Sequence, residues 1–146
     1  TLDRAGNATG TGAVKISGPK SSIELSILFL PDPSDGEFAQ SARARKEYMV
    51  GEFQRLVASS TEQAMQFEEL TPRRGAGTFC VFTDAALVGK AELPPNEYRH
   101  LTAGVKAWDG VMVVFRLFSN DTKSEAHLAA MRVLRESVEE RPVPLR

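Results

Sequence analysis

The stretch YRHLTAGVKAWDGVMVVFRLFS, residues 98–119, decides the fold. It reads as two strands, Tyr98–Trp108 and Val111–Ser119, joined by Asp109-Gly110. Asp-Gly between strand-like runs signals a tight hairpin, because a type I′ turn needs positive φ at both central residues. A two-residue loop fixes the register. Trp108 then faces Val111, Lys106 faces Val113, Gly104 faces Phe115 and Thr102 faces Leu117. On the other side of the ribbon, Ala107 meets Met112, Val105 meets Val114, Ala103 meets Arg116 and Leu101 meets Phe118. Phe115 is thus placed to cover the bare backbone of Gly104.

Both faces of the strand 111–118 are rich in apolar groups. One face is expected to take the helices. The other needs its own cover: a central position in the sheet, a loop, a partner subunit or an apolar ligand.

On the N-terminal side, residues 13–17 and 22–30 read as two strands around Gly18-Pro19-Lys20. Ile23, Leu25 and Ile27 alternate with Ser22, Glu24 and Ser26, the period of a half-buried strand. Pro31–Gly36 breaks the chain. A helix is predicted over Ser41–Ser59, with Met49, Phe53, Leu56 and Val57 at helical spacing. Arg43 and Glu47 form an i,i+4 pair on it, and Gly51 is expected to permit close packing on the sheet. Met65–Leu70 and Thr78–Asp84 read as a hairpin turning at Pro72–Gly75. A helix near Ser124–Glu140 closes the chain, with Leu128, Met131, Leu134 and Val138 as its stripe. Thr122 and Glu125 have capping-box spacing at its start, and Pro142 ends it.

The order is β-β-α-β-β-β-β-α. Short links between strands favour antiparallel pairing, and two helices cannot supply the crossovers of a parallel sheet. The expected fold is α+β: an antiparallel, twisted sheet of about six strands with two helices packed on it. The chain has 146 residues, enough for one domain, taken as residues 13–146. Residues 1–12, rich in Gly, Thr and Asn, read as a flexible leader of the kind left when a signal segment is removed. Export to a periplasmic space is therefore set against a cytoplasmic location.

A formal net charge of −1 offers no basic field for nucleic acid or an anionic membrane. The longest apolar runs, Ile27–Leu30 and Val111–Phe115, fall far short of the roughly 20 residues that span a bilayer. The chain therefore reads as soluble.

The chemistry-bearing residues are sparse. Cys80 is the single cysteine, so no internal disulfide forms; its flanks, Phe79 and Val81, predict a buried thiol. His100 and His127 lack the spacing of a metal site and are expected on the solvated surface. A Cys80–His100 couple would place a nucleophile beside a base and make the chain a small hydrolase or transferase. No phosphate-cradling loop, dinucleotide fingerprint or nucleophile elbow is present, so no cofactor and no metal are expected. Arg116 interrupts an apolar strand and calls for a carboxylate partner, an edge from which to snorkel, or a ligand. Arg73 and Arg74, in a turn beside Gly75, could grip an anion through bidentate bonds. Arg116, Trp108, Arg73 and Arg74 are the candidate contacts for a ligand or partner.

The element order, and above all Val111–Ser119 followed by a polar loop and the helix segment Met131–Val138, resembles the PsbP-like superfamily. That group includes the extrinsic photosystem II subunit and many exported bacterial proteins. The resemblance implies a bacterial binding or assembly module without intrinsic catalysis. Its partner would be a protein or a small apolar ligand. A homodimer joined through a sheet face is the remaining structural alternative.

Overall fold

The computed structural model describes residues 10–18, 20–29, 41–108 and 110–136. The elements are β1 (Gly10–Ser17), β2 (Ser21–Phe29), α1 (Ala42–Phe53), β3 (Glu68–Glu69), β4 (Ala76–Thr83), β5 (His100–Trp108), β6 (Val111–Ser119) and α2 (Glu125–Glu136). A short 3₁₀ turn, Gln54–Ser59, extends α1. The six strands lie in the order β1-β2-β6-β5-β4-β3, and every neighbouring pair is antiparallel. The α+β fold expected from the sequence is the fold observed.

The β5–β6 register is the one the two-residue loop dictates, from Trp108 opposite Val111 to Leu101 opposite Phe118. Gly110 sits at φ +78°, where a side chain is disfavoured. Asp109 lies outside the described residues, as do residues 1–9, the Pro31–Gly36 break and the end of the last helix, including Val138 and Pro142. β1 begins at Gly10, so the last three residues of the expected leader belong to the sheet.

The helices do not share a face. On one side α1 lays Met49 and Phe53 against Cys80, Phe82, Ala103, Val105, Ala107, Met112 and Val114. On the other, α2 lays Met131 and Leu134 against Leu70, Phe79, Phe115 and Leu117. This corrects the expectation of one helical face and one face awaiting cover. β5 and β6 are apolar on both sides because they are central strands between two helices.

Other expectations shift for physical reasons. Gly51 is exposed, and a Cβ there would meet nothing within 4 Å, so it serves no close packing. The Met65–Leu70 strand shrinks to Glu68–Glu69, paired with Phe79 and Thr78. In α2 the buried stripe is His127, Met131 and Leu134, while Leu128 is 52% exposed. The start of α2 is capped by Ser124, whose Oγ accepts from the His127 amide at 3.2 Å, not by Thr122.

Candidate functional site

The β1–β2 hairpin has one polar and one apolar face. Lys15 pairs with Glu24 at 3.1 Å and Ser17 bonds Ser22 on one side. On the other, Ile16 stands opposite Ile23 and Val14 opposite Leu25, on the face that α2 covers farther along the sheet. Ile16 remains 61% exposed and Val14 44%. The result is a groove of about 380 Å³ walled by Ile16, Ile23, Leu25 and Ile27, by Val113 of β6, and by Ala130, Val133 and Leu134 of α2. Its volume falls in the lower part of the ~300–1,000 Å³ range of small-molecule sites.

Two polar groups belong to this apolar groove: Lys106 and Trp108, at alternate positions of β5 and therefore on one face. Lys106 is only 1% exposed, between Gly77 and Val113 in the ladder. Burial pushes the pKa of its ammonium below the ordinary lysine value. Its Nζ lies 5.0 Å from the Trp108 ring centroid, a cation–π contact. The Trp108 Nε1 is buried and meets no hydrogen-bond partner among the described residues. A buried indole N–H without an acceptor costs roughly 1–3 kcal/mol relative to a bonded one.

The other candidates are placed elsewhere. Arg116 lies on the α1 side, where its guanidinium pairs with Glu52 at 2.8 Å and sits 5.1 Å from the Phe53 ring centroid. Its interruption of the apolar strand is thus met by a carboxylate from α1. Arg73 is exposed in the turn before β4, and its amide donates to the Arg135 carbonyl at 2.7 Å, closing the C-terminal turn of α2. Arg74 is half-buried next to it. Neither arginine lines the groove.

Cys80 is fully buried under α1, where burial first and then Glu68 push its thiol up to about 11. His100 stands opposite Thr83 in the ladder, whereas Cys80 stands opposite Ala103. The odd spacing between positions 80 and 83 sends the two side chains to opposite faces, so they form no couple.

His127 is not the solvated surface group expected, and His100 is half-buried. His127 is 5% exposed, and its Nδ1 shares a 2.9 Å hydrogen bond with the buried Ser119 Oγ. His100 Nδ1 lies 3.1 Å from Thr83 Oγ1, which donates to Glu62 Oε1 at 2.9 Å. A hydroxyl has one proton, and the carboxylate takes it, so His100 Nδ1 donates to Thr83. Burial lowers the pKa of His127, His100 adds to that effect, and Asp121 opposes it. Burial and Arg99 lower that of His100 against Glu62 and Asp121. Burial works against the Glu62 carboxylate, but bonds from the Thr83 amide and hydroxyl outweigh it and hold its pKa below the usual range. The cluster ties α2, β6, β5 and β4 together at the end of the sheet away from the β5–β6 turn. No group of three or more metal-ligating side chains occurs among the described residues.

Two buried cations escaped the sequence reading. Arg45 of α1 is 3% exposed; its Nε donates to Thr78 Oγ1 at 2.9 Å and it pairs with Glu69 at 3.1 Å. Lys106 is the second. Its signal was available in the register, which sets it opposite Val113 on the face of Phe115 and Leu117.

No helix among the described residues is long and apolar enough to cross a membrane. In comparisons with known proteins, the chain matches no family model, no curated protein and no solved structure.

Proposed function

We propose that this chain is a non-enzymatic binding domain that holds a small apolar ligand in the groove between the β1–β2 hairpin and α2. The observation that carries this reading is an apolar cleft of about 380 Å³ that the described residues form between β1–β2, Val113 of β6 and α2. Filling it removes Ile16, Val133 and their neighbours from water, and each buried Å² of such surface contributes about 25 cal/mol. Among the described residues the two helices cover the centre of the sheet, and this groove lies at its β1–β2 end with a lining that is almost wholly apolar. The PsbP-like resemblance and an exported location fit a binding role and stand as part of the proposal.

A neutral probe that fluoresces in apolar surroundings, N-phenylnaphthylamine, tests it. Its emission should rise to saturation at one probe per chain. Val133 is 62% exposed on α2, so Val133→Glu leaves the core intact while setting a charge on the groove wall. That variant should raise the probe Kd about tenfold, equivalent to 1.4 kcal/mol. No saturable rise, or a rise that Val133→Glu leaves unchanged, would refute the reading.

A further inference from the structure

We propose that β1 is a docking edge for a second copy of the chain: two β1 strands pair antiparallel across a two-fold axis at Val14 and join two sheets into one. This goes beyond the groove reading and does not depend on it.

The two ends of the sheet are built differently. An edge strand leaves a row of backbone N–H and C=O groups open to pairing, and proteins that stay monomeric shorten such an edge, charge it, kink it or cover it. The β3 end follows that rule: it is two residues long, and both are glutamates. The β1 end does not. β1 runs for eight residues, Gly10–Ser17, without a proline, and keeps an unbroken register with β2. Among the described residues no strand lies beyond it. Each of residues 12–17 is exposed, so the strand meets solvent on both faces. Its one charged side chain, Lys15, is held by Glu24 of β2 at 3.1 Å.

The β1–β2 turn sets which backbone groups face outward. The Gly18 amide donates to the Ser21 carbonyl at 2.7 Å, so these two residues form a hydrogen-bonded pair. Bonded and non-bonded pairs alternate along an antiparallel ladder. Ile16 and Val14 therefore direct their N–H and C=O groups to Ile23 and Leu25, whereas those of Ser17, Lys15 and Ala13 point away from β2.

A second β1 meets these groups in kind, because an antiparallel strand paired with itself is self-complementary, the condition for a closed two-fold dimer. Bonded pairs must join outward-facing residues of both copies, which leaves few registers. A two-fold axis at Lys15 would set two ammonium groups side by side, an unfavourable pairing. An axis at Ala13 would set Val14 against Gly12 and forgo any contact between the valines. The axis at Val14 pairs Lys15 with Ala13 of the second copy and Ile16 with Gly12, large against small. It also brings the two exposed valines together as a non-bonded pair, where facing side chains come closest.

Sedimentation velocity on the full chain tests this. Wild type should show a concentration-dependent monomer–dimer equilibrium. Val14 is 44% exposed, so Val14→Lys and Val14→Glu change the edge and spare the core. Each sets like charges on the axis and should weaken self-association about tenfold or more. Mixed in equal amounts, the two variants should form a heterodimer, since the axis sets position 14 of one copy against position 14 of the other. Ala13→Pro removes an outward N–H, leaves the ladder to β2 intact and should give a monomer. Circular dichroism checks that the variants fold, and wild type with the two charge variants decides the question without Ala13→Pro. A wild-type chain that stays monomeric up to roughly 1 mM would overturn the proposal. A dimer that persists in each charge variant alone, or charge variants that stay apart when mixed, would overturn it as well.

Discussion

Gly104→Ala should destabilise the protein by about 2–2.5 kcal/mol, against the usual direction of a Gly→Ala change in regular structure. Gly104 lies at the centre of β5 between Phe79 of β4 and Phe115 of β6. A Cβ on it would stand 2.4 Å from the Thr78 carbonyl oxygen, 2.7 Å from Phe115 Cζ and 2.7 Å from Phe79 Cβ. The Phe115 ring can tilt. The Thr78 carbonyl belongs to the β4–β5 ladder and cannot move without straining its hydrogen bonds. Overpacking of this kind costs about 1–3 kcal/mol, and a rigid backbone neighbour puts the cost at the upper end. Ala recovers roughly 0.5–1 kcal/mol through the smaller entropy of its unfolded chain. For a chain of 146 residues the entropy of unfolding is about 0.3 kcal/mol/K, so the melting midpoint should fall by roughly 7–8 °C. Gly51→Ala is the control. Nothing lies within 4 Å of a Cβ there, on an exposed helix position, so it should stabilise by about 0.8–1 kcal/mol. Urea denaturation followed by circular dichroism measures both. If Gly104→Ala falls within about 0.5 kcal/mol of wild type, the close covering of that glycine by its neighbours is refuted.

Three further outcomes follow from particular side chains. Thr102 Oγ1 is buried without a hydrogen-bond partner among the described residues, so Thr102→Val, nearly isosteric, should stabilise by about 1–2 kcal/mol in urea titrations. Gly110 sits at φ +78°, so Gly110→Val should cost on the order of 1–2 kcal/mol; an unchanged melting midpoint would contradict the turn geometry. His127 and His100 both have pKa values below the ordinary 6.5 in the folded chain, so below that pH the unfolded chain binds more protons. Stability is therefore full above pH 6.5 and should fall as pH drops through the folded values; His127→Gln should flatten that slope in melting curves taken from pH 7 to 5.

The hairpin was legible because a two-residue turn leaves one register, and that register carries the pairing of all nine β5 positions with β6. The side of the sheet each helix takes was not legible. It depends on how the connections around α1 and α2 cross the sheet, which apolar periodicity does not encode. The face of α2 was misread for a related reason. Leu128 and His127 are adjacent on the helix, and hydropathy favours the leucine. The bond from Ser119 to His127 and the Ser124 cap turn the histidine inward instead. Arg45 and Lys106 were missed because a charge in a sequence reads as solvent. Arg45 is buried by virtue of two partners, Thr78 and Glu69, that are distant in sequence. Trp108 was picked out beforehand as a contact residue. The groove around it was not, because its walls come from β1, β2, β6 and α2, which only tertiary packing brings together.

The proposed function depends on whether an apolar ligand enters the groove beside Trp108. The measurement that reads this most directly is the indole N–H resonance of Trp108, the single tryptophan signal of its kind, during titration with N-phenylnaphthylamine. Entry of the probe into the groove should move that resonance saturably, together with the signals of Ile23, Leu25 and Val133. A static indole resonance, with changes confined to the cleft lined by Leu56, Tyr98 and Phe118 on the other side of the sheet, would contradict it.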